Sequence, residues 1–221
     1  MNDGLSADVV FHIGSLTITD SVVTSWGIMF VFAVISIAMS RRLKMEPSRW
    51  QSALEGIVLV MEDAIADVLP QKARRVLPFI GTLWLFVVVA NLTGLVPGLH
   101  APTRDLSVTA ALAILVFIST HAFGIAEKGW CGYLRHYVEP SPILLPFTVI
   151  SELTRTLALA VRLFGNMMSL EMAALLILLI AGFLVPIPLL MLHVIEALVQ
   201  AYIFGMLALI YIAGAIENTE S

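Results

Sequence analysis

Residues 157–171 read LALAVRLFGNMMSLE, and Arg162 interrupts a run that otherwise has the composition of a membrane helix. Arginine keeps its proton at any physiological pH, so it cannot enter lipid by becoming neutral. Its placement at mid-bilayer costs roughly 2.5–3.5 kcal/mol on insertion scales and about 10–17 kcal/mol in simulations of an isolated helix. A chain that keeps a permanent charge at that depth must use it.

Composition sets the class. Apolar residues make up 59% and charged residues 13%, against about 25% charged in soluble chains, and the mean hydropathy is +0.96. Too little polar surface remains to face water all round, so the chain reads as an all-α polytopic membrane protein. The formal charge of −4 lies mostly outside the apolar runs, and no basic stripe suggests a nucleic-acid partner. A lone Cys131 excludes an intramolecular disulfide and any CxxC pair; it reads as a single thiol in a loop. The opening MNDGLSADVV has no basic residue, the first apolar run begins near Ser21, and no A-x-A-like site follows. A retained membrane anchor is expected, and not a removable signal peptide.

A perpendicular crossing needs about 20 apolar residues. Residues 22–40, 76–97 and 106–126 supply three such spans. Between the first two, residues 48–69 mix acids with Leu54, Val58, Met61 and Ile65 at helical spacing, the pattern of an amphipathic helix lying at the interface, with Glu62 and Asp63 on its solvated side. Residues 147–183 contain no proline; as one helix they would be ~55 Å long, against a hydrocarbon core of about 30 Å. That segment either breaks near Gly165 or lies steeply tilted. The turn GFLVPIP, with Pro186 and Pro188, then reverses the chain into residues 189–216. The expected product is a single membrane domain over residues 1–221, with five crossings and a final pair of overlong, slanted helices.

Loop charge orients it. Arg41, Arg42, Lys44, Arg49, Lys72, Arg74 and Arg75 fall between spans one and two, and Lys128 and Arg135 after span three. Arg104 alone lies in the short loop after span two. This asymmetry places the N-terminus outside and the C-terminus in the cytoplasm.

On a helical wheel, offsets of 4, 7 and 11 from Arg162 return to one face. There lie Ser151, Arg155, Ala158, Arg162, Asn166, Ser169 and Ala173, polar or small throughout. Glu171 falls nearly opposite, and Glu152 is displaced from the stripe. In the last helix His193, Glu196 and Gln200 fall at i, i+3 and i+7, with Ala197 and Ala201 beside them. Ionisable residues at membrane depth are functional candidates by default. Blander readings exist for each. Arg162 could form a packing ion pair with Glu196 or Glu171. His193 and Glu196 could be two metal ligands, though two at that spacing are weak. Asn91, in VVVANLTGLVPG, suits a helix–helix hydrogen bond as well as an ion route. Ser151, Ala158 and Ser169 could be a small-residue seam, which still needs something to pack on.

ISELTRTLALAVRLFGNMMSLE, with its RLFGNM core, resembles the signature helix of subunit a of the F-type ATP synthase. LHVIEALVQAYIFGMLALIYIAGAIE resembles that family's last helix, and VANLTGLVPG its earlier Asn-containing span. The segments fall in family order, and the likeness covers essentially the whole chain. It implies a stator subunit in the bacterial plasma (inner) membrane that packs against a ring of c subunits, each with one membrane-buried carboxylate. The peripheral-stalk b subunits and the remainder of the complex would be its other partners, with the lipid bilayer around it.

By the same likeness, Arg162 matches the essential arginine, Asn166 its neighbour, and Gln200 the glutamine facing it. Glu171 and His193 match the pair lining the outer half-channel, with Asn91 near it. Glu152, Ser151 and Thr154 would surround the inner one. The chain departs from the family at Thr148, fourteen residues before the arginine, where many members carry glutamate; Glu152 would serve instead. Neither a catalytic centre nor a cofactor is implied. An ion-coupled secondary transporter would predict inverted repeats, and an intramembrane hydrolase a GxSxG or HExxH pattern; neither feature occurs here.

Overall fold

The apolar runs fold into helices, five of them long and apolar enough to cross a bilayer. The computed structural model describes residues 9–13, 16–41, 49–96, 99–138, 145–181 and 186–217. Helix α1 spans Asp20–Ser40, α2 Arg49–Ala66, α3 Ala73–Leu92, α4 Leu106–Val138, α5 Leu145–Ala181 and α6 Pro186–Glu217. Short 3₁₀ turns at Thr93–Leu95 and Pro102–Arg104 lie between α3 and α4. The all-α membrane class therefore holds, and α2 is the helix among them that does not qualify as a span.

An antiparallel hairpin, β1 (Val9–Ile13) and β2 (Leu16–Thr19), leads into α1 and adds to that reading. VVFHI and LTIT are rich in β-branched residues, which suit a pleated backbone. They are far too short to register in a pattern sought over about 20 residues. The basic residues Arg42 and Lys44, Pro97 and both chain ends lie outside the described residues.

The core forms where α3 meets α6. Val76, Ile80, Leu83, Trp84 and Val87 recur at helical spacing on α3 and pack with Ala201, Phe204, Ala208, Leu209 and Ile212 of α6. Lipid is as apolar as leucine, so helices in a membrane associate by close packing, which small residues permit. Ala197, Ala201 and Ala208 are fully buried, and a Cβ on Gly205 would overlap the Trp84 indole. The indole Nε1 also donates to the Tyr202 carbonyl at 3.3 Å. α4 packs against both α5 and α6. α1 buries only Ser21 and Ile28 and presents the rest of its apolar surface outward.

Three features revise the sequence reading. α5 is a single helix that passes through Gly165, so the break offered there does not occur. α4 continues beyond residue 126 and changes direction at Gly129, whose φ of 72° is one that glycine adopts without steric cost. Cys131 consequently sits on the helical extension past that turn and not in a loop. Of the amphipathic set on α2, Ile65 is buried and Met61 packs on the core, whereas Leu54 and Val58 remain exposed. Glu62 accepts from Arg74 at 2.8 Å while Asp63 is exposed. Glu127 of α4 binds Lys72 at 2.7 Å and Arg75 at 2.8 Å. One end of the bundle is thus basic and tied by ion pairs; the other carries the 3₁₀ turns.

Gly205→Val should expel the indole from its seat, and overpacking of this kind costs about 1–3 kcal/mol. The expected outcome is a lower thermal unfolding temperature and less protein in the membrane. Gly56→Ala, where nothing lies within 4 Å, should lower neither.

Candidate functional site

α5 fixes Arg162 about midway along its length by burying the opposite side of the helix. Leu159, Ala160, Leu163, Met167 and Leu170 are buried, which turns Ser151, Arg155, Ala158, Arg162 and Ser169 outward, with Asn166 partly covered. The stripe seen on the helical wheel is therefore an exposed face of this chain. Arg162 forms no ion pair and no side-chain hydrogen bond among the described residues. Arg155, two turns earlier, lies over the Tyr211 ring of α6 at 5.9 Å from its centroid.

Two acids that could have neutralised Arg162 are engaged elsewhere. Glu171 Oε1 accepts from Arg104 Nη1 at 2.5 Å and lies 3.1 Å from His100 Nδ1. Glu152 Oε2 lies 3.3 Å from His121 Nε2 on α4. Glu196 is half-buried and has no ion pair among the described residues. The packing ion pair between Arg162 and Glu171 or Glu196 does not form. α5 points Arg162 away from the core, and Glu171 turns toward the 3₁₀ segment.

A second set of polar groups joins α5, α6 and α3. Asn166 Nδ2 donates to Gln200 Oε1 at 2.7 Å, and Gln200 is 2% exposed with its Nε2 lacking a partner among the described residues. This contact pairs residues equally far from the α5–α6 connection, as two helices running antiparallel side by side require. Asn91 is fully buried; it donates to the Ala197 carbonyl at 3.3 Å and accepts from Thr103 Oγ1 at 2.7 Å. His193 is buried with Nε2 unpartnered among the described residues. That nitrogen would lie 3.7 Å from a Cβ built on Gly94, so α6 meets the first 3₁₀ turn there. His193 and Glu196 find no third ligand: no group of three or more His, Cys, Asp or Glu that could hold a metal occurs among the described residues.

His100, Thr103, Arg104 and His121 belong to this constellation and were not among the sequence candidates. Arg104 reads in the sequence as a loop charge and meets Glu171 across 67 residues. The signal for His121 was available: an ionisable residue inside the third span, which merits attention wherever it occurs.

The family model described as ATP synthase A chain matches residues 22–213. The chain belongs to this family. It is 64% identical over 219 residues to ATP synthase subunit a 1 of Hahella chejuensis, an alignment covering 99% of this chain and 93% of that one. It is 59% identical to ATP synthase subunit a 2 of Pelobacter propionicus, covering 98% and 95%. To ATP synthase subunit a of Legionella pneumophila it is 55% identical, covering 99% and 95%. Membership in the ATP synthase A chain family makes it a multi-pass membrane subunit of the ATP synthase complex, without catalysis of its own.

Within this A-chain fold, Asn91→Ala should leave the Thr103 hydroxyl and the Ala197 carbonyl buried without their shared partner. A buried polar group left unmet costs about 1–3 kcal/mol. A fall in thermal unfolding temperature of the solubilised complex is expected, and Asn91→Gln should not restore it because the longer side chain misplaces the amide.

Proposed function

We propose that this chain is the ion-translocating stator of an F-type ATP synthase, and that Arg162 couples ion flow to rotation of a c-subunit ring. The observation that carries the reading is an exposed guanidinium, midway along a membrane helix, that no acid among the described residues neutralises. Such a charge needs a partner from outside the chain. A ring carboxylate supplies one.

A carboxylate facing lipid must be neutral because bare charge there is too costly. Beside Arg162 the ionised form is favoured: an opposite charge within about 4–6 Å lowers a carboxylate pKa by about 1–3 units. The acid therefore releases its proton as it reaches the arginine and reloads after passing it. Arg162 also bars a direct leak, since a cation does not cross beside a fixed cation. Glu171, His193, Glu196 and Asn91 line the route from the end bearing the 3₁₀ turns. Glu152, Ser151 and Thr154 line the route from the basic end. Asn166 and Gln200 hold α5 and α6 together beside the arginine, and Ser151, Arg155, Ala158 and Ser169 form the face on which the ring turns. With routes offset around the ring, the membrane potential, worth about 2.3 kcal/mol per charge per 100 mV, does work only as rotation.

Loop charge orients the basic end and the C-terminus to the cytoplasm and the N-terminus outward, in a bacterial inner membrane. The peripheral-stalk b subunits would hold the stator still while the ring moves.

Arg162→Ala should abolish ATP-driven proton pumping in inverted vesicles while the complex still assembles. Arg162→Lys should also fail largely, because an ammonium does not reproduce the planar, permanently charged fork. Normal pumping by either variant contradicts the proposal.

A further inference from the structure

Between the basic end and Arg162, α4 brings a histidine to Glu152. His121 Nε2 lies 3.3 Å from Glu152 Oε2, and His121 Nδ1 lies 2.8 Å from the Phe117 carbonyl oxygen. A carbonyl only accepts, so Nδ1 carries a proton, and Nε2 is the nitrogen left to gain or lose one. An imidazole lone pair and an ionised carboxylate would repel at this distance. One proton must therefore sit between them, giving either an imidazolium facing a carboxylate or a neutral imidazole facing a carboxyl. The two forms interconvert by transfer of that proton from nitrogen to oxygen, with no change in total charge. A proton taken from water on one side is balanced by one released on the other.

Two aromatic rings flank the histidine. Phe117 lies 4.3 Å from the His121 ring, centroid to centroid, and Tyr133 meets its edge at 5.9 Å and 68°. Tyr133 reaches this position because the chain turns at Gly129 and folds back on Gly124, where a Cβ would overlap the tyrosine ring. The side chains of His121 and Glu152 are 27% and 25% exposed in this chain, so neither is fully enclosed by it. Thr148, one turn earlier on α5, offers no carboxylate.

Other charged groups described toward this end are differently placed. Glu127 is bound to Lys72 and Arg75, and Glu62 to Arg74. Arg155 lies over Tyr211 of α6, and Lys128 is two turns further along α4, its amine without a partner among the described residues. The arginines and paired acids hold their charge. A histidine such as His121, unlike these, has an ordinary range that spans neutral pH.

We propose that His121 and Glu152 form a one-proton relay that serves the basic-end route to Arg162. The inference rests on the proton-conducting reading above. His121→Gln keeps an amide able to donate to Glu152 but cannot hold an added proton. In inverted vesicles carrying the complete complex, pumping per assembled complex should fall at least about tenfold, in line with the loss of a proton-transfer group. The acid-side limb of its pH profile should disappear. Glu152→Gln should do the same, and the double variant should be no worse than the poorer single one. Should His121→Gln fail to accumulate in the membrane, Glu152→Gln carries the same readouts. Wild-type pumping with an unmoved pH profile overturns the relay, as does a double variant in which the two losses multiply. Arg162→Ala, assayed in parallel, separates the failures. If it still pumps, the wider reading falls; if it is inactive while His121→Gln pumps normally, only the relay falls.

Discussion

A guanidinium that cannot shed its proton must find a counter-charge, and among the described residues no acid of this chain pairs with Arg162. That constraint organises the rest of the structure. Burial of Leu159, Leu163, Met167 and Leu170 fixes which way the helix faces, and small or polar residues on the other side keep the approach to Arg162 clear. The length of α5 also follows: a continuous helix from Leu145 to Ala181 places the charge far from both of its ends.

The acids nearest in kind are kept away by commitments of their own. Glu171 is drawn to Arg104 and His100 at one end, and Glu152 to His121 at the other. Each acid is therefore met locally by a basic side chain on a different element. Ion pairs at depth are weak evidence for stability, because desolvation consumes most of the attraction. Their value here is positional. They stand on either side of Arg162 along α5 and leave it, among the described residues, without a paired acid.

Much of this was legible in the residues themselves. Continuous apolar runs marked the spans, and the 3.6-residue period placed Ser151, Arg155, Ala158, Arg162 and Ser169 on one face, which the fold exposes. The hydrogen-bonding role of Asn91 and the meeting of Asn166 with Gln200 also accord with their positions in the sequence. What periodicity could not convey was contact between distant segments. Arg104 and His100 sit in a connection without helical period, 67 and 71 residues from Glu171. His121 faces Glu152 only because α4 packs on α5. The turn at Gly129 depends on a positive φ that no neighbouring residue announces. The hairpin before α1 was hidden by its brevity.

The most direct test is a high-resolution structure of the assembled complex in lipid, with the distance from the Arg162 guanidinium to the nearest carboxylate measured. The account predicts that this carboxylate belongs to the ring and lies within about 4–6 Å, the range over which a charge shifts its ionisation. A guanidinium turned to lipid headgroups, or clasped by Glu171, Glu196 or Glu152 of its own chain, would contradict it.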